Sequence, residues 1–184
     1  MIPYIILVLI VIVIFVIFKA KDITNDFNSV LVRIHDGENE IDELLKTKGT
    51  LLDEVCESIN NLNDNTVFSS VKKITKKNID SLKLDRELSE VYAELREYLL
   101  VKKSFVTENE LKEKIEALEV LEVELEATKL FYNDNSNIFN ELIEKFPSKI
   151  IAKRKGYDFK FLYTFEEAEF FEILKKDKKK KKEA

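Results

Sequence analysis

The sequence predicts an all-α protein: a single N-terminal transmembrane helix followed by an antiparallel helical bundle of three long helices plus a short C-terminal helix, of the four-helix-bundle type. Three observations carry this. Residues 5–18 are without exception Ile, Leu, Val or Phe. The 184 residues contain only 3 Gly and 2 Pro, too few to punctuate the strand ends of a sandwich or barrel. Beyond the apolar run, hydrophobic residues recur at spacings of three, four and seven, the periods of helices packed along one face.

The apolar run, extended past Pro3 and Tyr4 by Ile2, gives about 17 mostly apolar positions and roughly 26 Å of helix, slightly short of a hydrocarbon core of about 30 Å. Lys19 and Lys21 can lift their ammonium groups to the headgroups at one end, and Tyr4 suits the opposite interface. Insertion of such a run is favourable by about 4 to 8 kcal/mol. A cleaved signal peptide would have a basic region before the apolar core and small residues after it. Residues 1–4 carry no Lys or Arg, and the run exits into Phe18, Lys19, Ala20 and Lys21, so an uncleaved anchor is expected. Lys19, Lys21 and Arg33 all follow the run, which predicts the N-terminus outside and the C-terminal body in the cytoplasm. The expected organisation is an anchor over 1–21, a long-helix bundle over 22–147, a basic and aromatic segment with short helices over 148–174, and a disordered Lys-rich tail over 175–184.

Within the body, Phe27, Val30, Ile34, Ile41, Leu44, Leu45, Leu51, Leu52, Val55, Ile59 and Leu62 trace one long amphipathic helix, in which Gly37 is a candidate bend. The polar cluster at 60–65 reads as a turn, with Asp64 or Asn65 as the next N-cap. A second stretch is carried by Val67, Val71, Ile74, Ile79, Leu82, Leu84, Leu88, Val91, Leu95 and Tyr98, and a phase slip near Leu82 to Asp85 predicts a kink or local unwinding. Thr107 and Glu110 have the spacing of a capping box for a third helix. That helix has the clearest seam: Leu111, Leu118, Leu125, Tyr132, Phe139 and Phe146 fall seven residues apart, until Pro147 ends it. Packed up, down and up, the three helices bury their stripes against one another. Ser148 is expected to cap a short turn ended by Gly156. Tyr157, Phe159, Phe161, Tyr163 and Phe165 alternate as an extended aromatic segment, and Thr164 with Glu167 frames a last short helix bearing Phe170 and Phe171.

The chemistry is sparse. One His and one Cys leave no soft-metal or disulfide framework within one chain. His35 has no Ser, Cys or second His at a usable helical spacing to activate, and reads as a solvated helix-face residue. Glu116, Glu119, Glu122, Glu124 and Glu126 lack the Glu-x-x-His partner of di-iron bundles and read as a solvent face. Cys56 reads as a buried thiol. No catalytic, cofactor or metal residues are expected. The net charge of −5 divides into +5 on residues 175–184 and −10 on the rest. With a pI of about 5.2, nucleic acid is not an expected partner.

Phe131, Tyr132 and Asn133, then Ile138, Phe139 and Asn140, then Ile143, Glu144, Lys145, Phe146, Pro147 and Ser148, continuing to Ile150, Ile151 and Ala152, closely resemble the C-terminal signature of the LemA family. Further agreements are Gly156 with Tyr157, the group Glu169, Phe170, Phe171 and Glu172, Phe27 with Asn28 just past the anchor, and Ile41 with Asp42 followed by Leu45 and Lys46. Together with the apolar run, the resemblance covers nearly everything but the Lys tail. It departs in lacking the Ala-Trp pair that usually precedes the Ile-Asp motif, in having Asp53 where Pro is common, and in a longer spacer from Gly156 to Phe170. The resemblance implies a bacterial single-pass membrane protein with a four-helix-bundle body, no established enzymatic activity and a poorly defined molecular role.

The expected function is therefore a non-enzymatic, membrane-tethered helical scaffold or adaptor, whose partners are membrane lipid and other membrane or envelope proteins, with homo-oligomers also compatible. The alternative is an anionic-lipid-binding or membrane-shaping protein acting through Lys149, Lys153, Arg154 and Lys155 and the aromatic residues after them. A third option, an enzyme or cofactor binder in the bundle interior, requires Asn28, Asp42, Asn133 and Asn140 to line one polar cavity. The opposing expectation is that the rings of Phe27, Tyr132 and Phe139 pack and the adjacent Asn side chains satisfy backbone or one another.

Overall fold

The computed structural model describes residues 2–63, 71–75, 79–102 and 109–163, and among them it is helical with no strand. Five helices follow in order: α1 (Ile2–Asn63), α2 (Val71–Thr75), α3 (Ser81–Val101), α4 (Asn109–Glu144) and α5 (Ser148–Lys155). The apolar run and the amphipathic stripe belong to one unbroken helix, α1, which passes through Gly37 without interruption. Asp64, Asn65, Val67, Thr107, Phe170, Phe171 and the Lys tail lie outside the described residues, as do the expectations placed on them.

The chain divides into two compact units, Met1–Asp36 with Tyr132–Leu162, and Gly37–Phe131 with Tyr163–Ala184. In the second unit the helix directions can be read from paired side chains. Asp42 accepts from the Ser81 hydroxyl and Lys48 Nζ donates to Ser89 Oγ at 3.0 Å, so α1 and α3 run parallel. Lys48 meets Glu122 at 2.5 Å and Glu54 meets Lys114 at 3.7 Å, so α4 runs antiparallel to α1. The short α2 runs back along α1, with Lys72 beside Asp53 and Glu57 and Thr75 against Gly49, where a Cβ would meet the Thr75 methyl at 2.7 Å.

This corrects the expected up, down and up order. The second stretch is two helices of opposite direction, so the chain reverses between Thr75 and Ser81, and the third long helix returns antiparallel to the first. The phase slip has the same origin: α3 is continuous through Leu82 and Asp85, and the interruption precedes it, at Ile79 and Asp80. Periodicity records which residues share a face, and two short helices with one apolar face each mimic one helix with a slip.

The core of this unit is made from the anticipated stripes, including Ile41, Leu45, Leu52, Val55 and Ile59 of α1, Leu88 and Leu95 of α3, and Leu111, Leu118 and Leu125 of α4, all buried. Cys56 is buried among them, and burial, reinforced by the charges of Asp53 and Glu94, pushes its thiol from 9.0 up to about 12. The unfolded thiol therefore ionises first as pH rises. The Cys56 contribution to stability is complete below about pH 9 and declines by about 1.4 kcal/mol per pH unit until about pH 12. Thermal unfolding of the full chain in micelles should show a steeper fall in Tm between pH 9 and 11 for the native protein than for Cys56→Ala. Equal slopes would contradict this.

In the first unit the heptad seam continues through Tyr132 and Phe139, both buried, but not to Phe146, which is 81% exposed. Helix α4 stops at Glu144, because the residue before a proline is disfavoured in the helical region, and Phe146 leaves the seam with it. Nor does Ser148 cap α5. It sits inside the helix, preceded by Pro147 at the N-cap, and its hydroxyl donates to the Lys145 carbonyl at 2.8 Å. Gly156 does end α5, with a φ of 70° and its N–H on the Ala152 and Lys153 carbonyls, a left-handed cap suited to a residue without Cβ.

Candidate functional site

The site that the sequence points to lies in the first unit, at the junction of the apolar run with the C-terminal segment. Among the described residues, α1 carries the only stretch long and apolar enough to cross a membrane, with a mean hydropathy of 2.8 in its most apolar window and none of that window buried. From Tyr4 to Phe18 the large apolar side chains are 47% to 75% exposed. Such a stretch suits a membrane span or a signal sequence. Tyr4, Lys19 and Lys21 are all exposed at the two ends of this stretch.

Eight residues beyond Lys19, and so about 12 Å along the helix, three aromatic rings converge. Phe27 and Phe139 meet edge to face with centroids 5.5 Å apart, and Tyr157 tilts against both, at 5.0 and 5.6 Å. Phe27 is fully buried and Phe139 nearly so, and edge-to-face pairs of this kind add about 0.5 to 1.5 kcal/mol beyond the area they bury. Asn140 completes the joint. Its Nδ2 donates to the Lys160 carbonyl and its Oδ1 accepts from the Lys160 N–H, each at 2.8 Å, a two-bond clip between α4 and the segment after Gly156. The aromatic segment, expected to be extended, has no regular secondary structure over 157–162 and is held on the bundle at these points.

Between those anchor points lies α5. Lys149, Lys153, Arg154 and Lys155 are all exposed on it, Ile150 is 61% exposed, and the helix contains no acidic residue. The basic residues of its last turn suit the negative end of the helix dipole, whereas Lys149, near the positive end, does not gain from it.

Of the four residues named for a polar cofactor cavity, Asn28 and Asp42 are exposed, Asp42 being engaged by Ser81, and Asn140 is spent on the Lys160 backbone. Asn133 is half-buried, beside buried Tyr132, and Ile41 is buried in the second unit. Thus the expectation that seam Asn residues satisfy backbone holds for Asn140 and fails for Asn28, which faces away from its helix's buried stripe.

Sequence reasoning missed the buried charges of the second unit. Lys48 is fully buried, ion-paired to Glu122, bonded to Ser89 and 5.7 Å from the centroid of the Tyr92 ring. Glu122, expected on the solvent face with its neighbours, has a side chain only 19% exposed, because Lys48 draws it inward. Lys129 and Asp85, both buried, pair at 2.6 Å, with Glu126 also on Lys129 at 3.0 Å. Burial alone would lower the Lys129 ammonium, but the Asp85 hydrogen bond and charge, with Glu126, outweigh it and hold it above its ordinary value. The signal was present in the spacing. Lys48 stands between Leu45 and Leu52 in the apolar stripe, Asp85 three before Leu88, and Lys129 between Leu125 and Tyr132. A shallow groove of about 300 Å³ also opens between α3 and α4, lined mainly by Tyr92, Leu95, Leu99, Ile115 and Leu118.

Among the described residues no group of three or more His, Cys, Asp or Glu is arranged to hold a metal ion. No family model, no curated protein and no solved structure matches this chain.

Proposed function

We propose that this chain is a LemA-like, single-pass membrane protein of the bacterial inner membrane, a non-enzymatic scaffold whose helical body is tethered at the cytoplasmic face and engages other membrane or envelope proteins. The observation that carries the reading is the continuity of α1: an exposed apolar stretch at its start and a buried core stripe further along the same unbroken helix. A continuous helix joins the anchor to the body, which is what a tethered adaptor needs and what a cleaved leader would discard. Val120, Val123 and Leu130 of α4, each more than 60% exposed and sharing one helix face, offer a contact strip for a partner helix. The inward orientation rests on Lys19 and Lys21 at the body end of the run.

Two measurements test this. After expression of the full chain, alkaline carbonate should leave it in the membrane pellet, while Val11→Lys with Ile14→Lys should release it. Two central Lys cost about 5 to 7 kcal/mol, comparable to the whole insertion gain of the run. Recovery of the native chain in the soluble fraction would refute the anchor. A single Cys introduced at Lys112, an exposed position, should resist an impermeant maleimide in intact cells and react after lysis, with the buried Cys56 silent in both. Labelling in intact cells would reverse the orientation.

A further inference from the structure

We propose that Phe146 and α5 rest on the surface of the bilayer that hosts the apolar run, with Phe146 and Ile150 entering the headgroup boundary and Lys149, Lys153 and Arg154 engaging anionic phospholipid headgroups. The inference rests on the anchored reading of α1 and gives that anchor a second point of contact.

Position is the first argument. Within the first unit α1 leads out after Asp36 and α4 leads in at Tyr132, and Phe139 is level with Phe27. From Phe139 to Glu144 the chain advances about 7.5 Å toward the start of α1, out of the roughly 12 Å that separate Phe27 from Lys19. Phe146, two residues further, therefore comes close to the level of Lys19 and Lys21, the band that marks the headgroups. The contact of Tyr157 with Phe27 then brings the chain back, so α5 lies between the level of Lys19 and that of Phe27, within reach of the headgroups for long Lys and Arg side chains.

Exposure is the second. Beyond the apolar run, Phe146 at 81% and Ile150 at 61% are the most exposed large apolar side chains that the first unit carries. The seam that could have taken Phe146 ends at Phe139, and the helix end before Pro147 leaves Phe146 uncovered four residues before an exposed Ile150.

Charge is the third. Lys149 and Lys153 are four residues apart, as are Ile150 and Arg154, so basic and apolar side chains lie side by side on a helix that has no acid to neutralise them. The remainder of the chain outside the tail is strongly acidic, which makes this a local reversal of sign. Apolar residues flanked by Lys and Arg on an exposed helix suit the interface of an anionic leaflet.

The test uses the full chain in nanodiscs, with single nitroxide labels at Val11, Ile150 and Glu116 in separate samples. Native Cys56 is buried and stays unlabelled. In discs of phosphatidylcholine with phosphatidylglycerol, the Ile150 label should lose most of the collisions with a water-soluble nickel quencher that the Glu116 label keeps, and should gain collisions with oxygen. Omitting phosphatidylglycerol, or introducing Lys149→Glu with Lys153→Glu, should return the label toward water, and Phe146→Ser should do so in part. If Val11 is shielded while Ile150 is as wet as Glu116 in the anionic discs, the surface contact is overturned and the anchor stands. A wet Val11 overturns the anchored reading and this inference with it. Equal shielding of Ile150 in neutral and anionic discs, unchanged by the charge reversals, overturns the assignment to anionic headgroups.

Discussion

Glu122→Ala should destabilise the body by about 3 kcal/mol or more, a loss out of proportion to a residue that sequence reasoning assigns to the solvent face. Removing the carboxylate leaves the Lys48 ammonium, fully buried, without its 2.5 Å partner, and an uncompensated buried charge costs about 3 to 5 kcal/mol. The reverse change should be mild. Lys48→Met keeps the volume and apolar stem, and the Glu122 side chain, already 19% exposed, can turn to water. Replacing both partners with apolar residues of similar size should be neutral or stabilising. Chemical unfolding of the full-length protein in micelles and of the three variants supplies the comparison, and the asymmetry is the diagnostic. Equal and small effects of the two single changes would show that the pair is solvated.

Phe139→Ala should cost about 3 to 5 kcal/mol, the range for emptying a buried aromatic site, and should do so at the aromatic joint. Phe139 is 1% exposed and touches both Phe27 and Tyr157, so its removal leaves a cavity against which neither ring can close fully. The segment after Gly156 should loosen as well. Amide exchange at Lys160, whose N–H is held by Asn140 Oδ1, gives a local readout. Asn140→Ala should abolish that protection for only about 1 to 2 kcal/mol, since it removes hydrogen bonds without opening the core. If Phe139→Ala leaves Lys160 protected, the rings and the clip are not one joint.

These two cases also mark how far the sequence could be read. Phe27, Tyr132 and Phe139 were legible as packed rings because their spacing puts each on the apolar stripe of its own helix, and that stripe is buried wherever the helix goes. Phe146 satisfied the same spacing and proved exposed, because a local constraint, the proline after it, ended the helix before the seven-residue repeat could apply. Lys48, Asp85 and Lys129 occupy stripe positions too. Their identity as charged residues argued for solvent, and only the arrival of Glu122 and Asp85 from other helices made their burial tolerable.

Much of the candidate interface was likewise visible in part. Tyr4, Lys19 and Lys21 follow from the apolar run alone, and the basic character of Lys149, Lys153, Arg154 and Lys155 is a matter of composition. The docking of the segment after them on Phe27 and Phe139 is not. It depends on α4 returning antiparallel to α1, and that in turn on the chain reversing twice between α1 and α3, once into α2 and once out of it.

The sequence by itself determined the apolar helix, the helical class of the body, the seam from Leu111 to Phe139 and the left-handed stop at Gly156, because each rests on interactions within a few turns of one chain segment. Only the tertiary structure decided the direction of the helices, the pairing of buried charges and the docking of Tyr157 on Phe27. Helical periodicity names the face a residue occupies and says nothing of which distant segment will cover it.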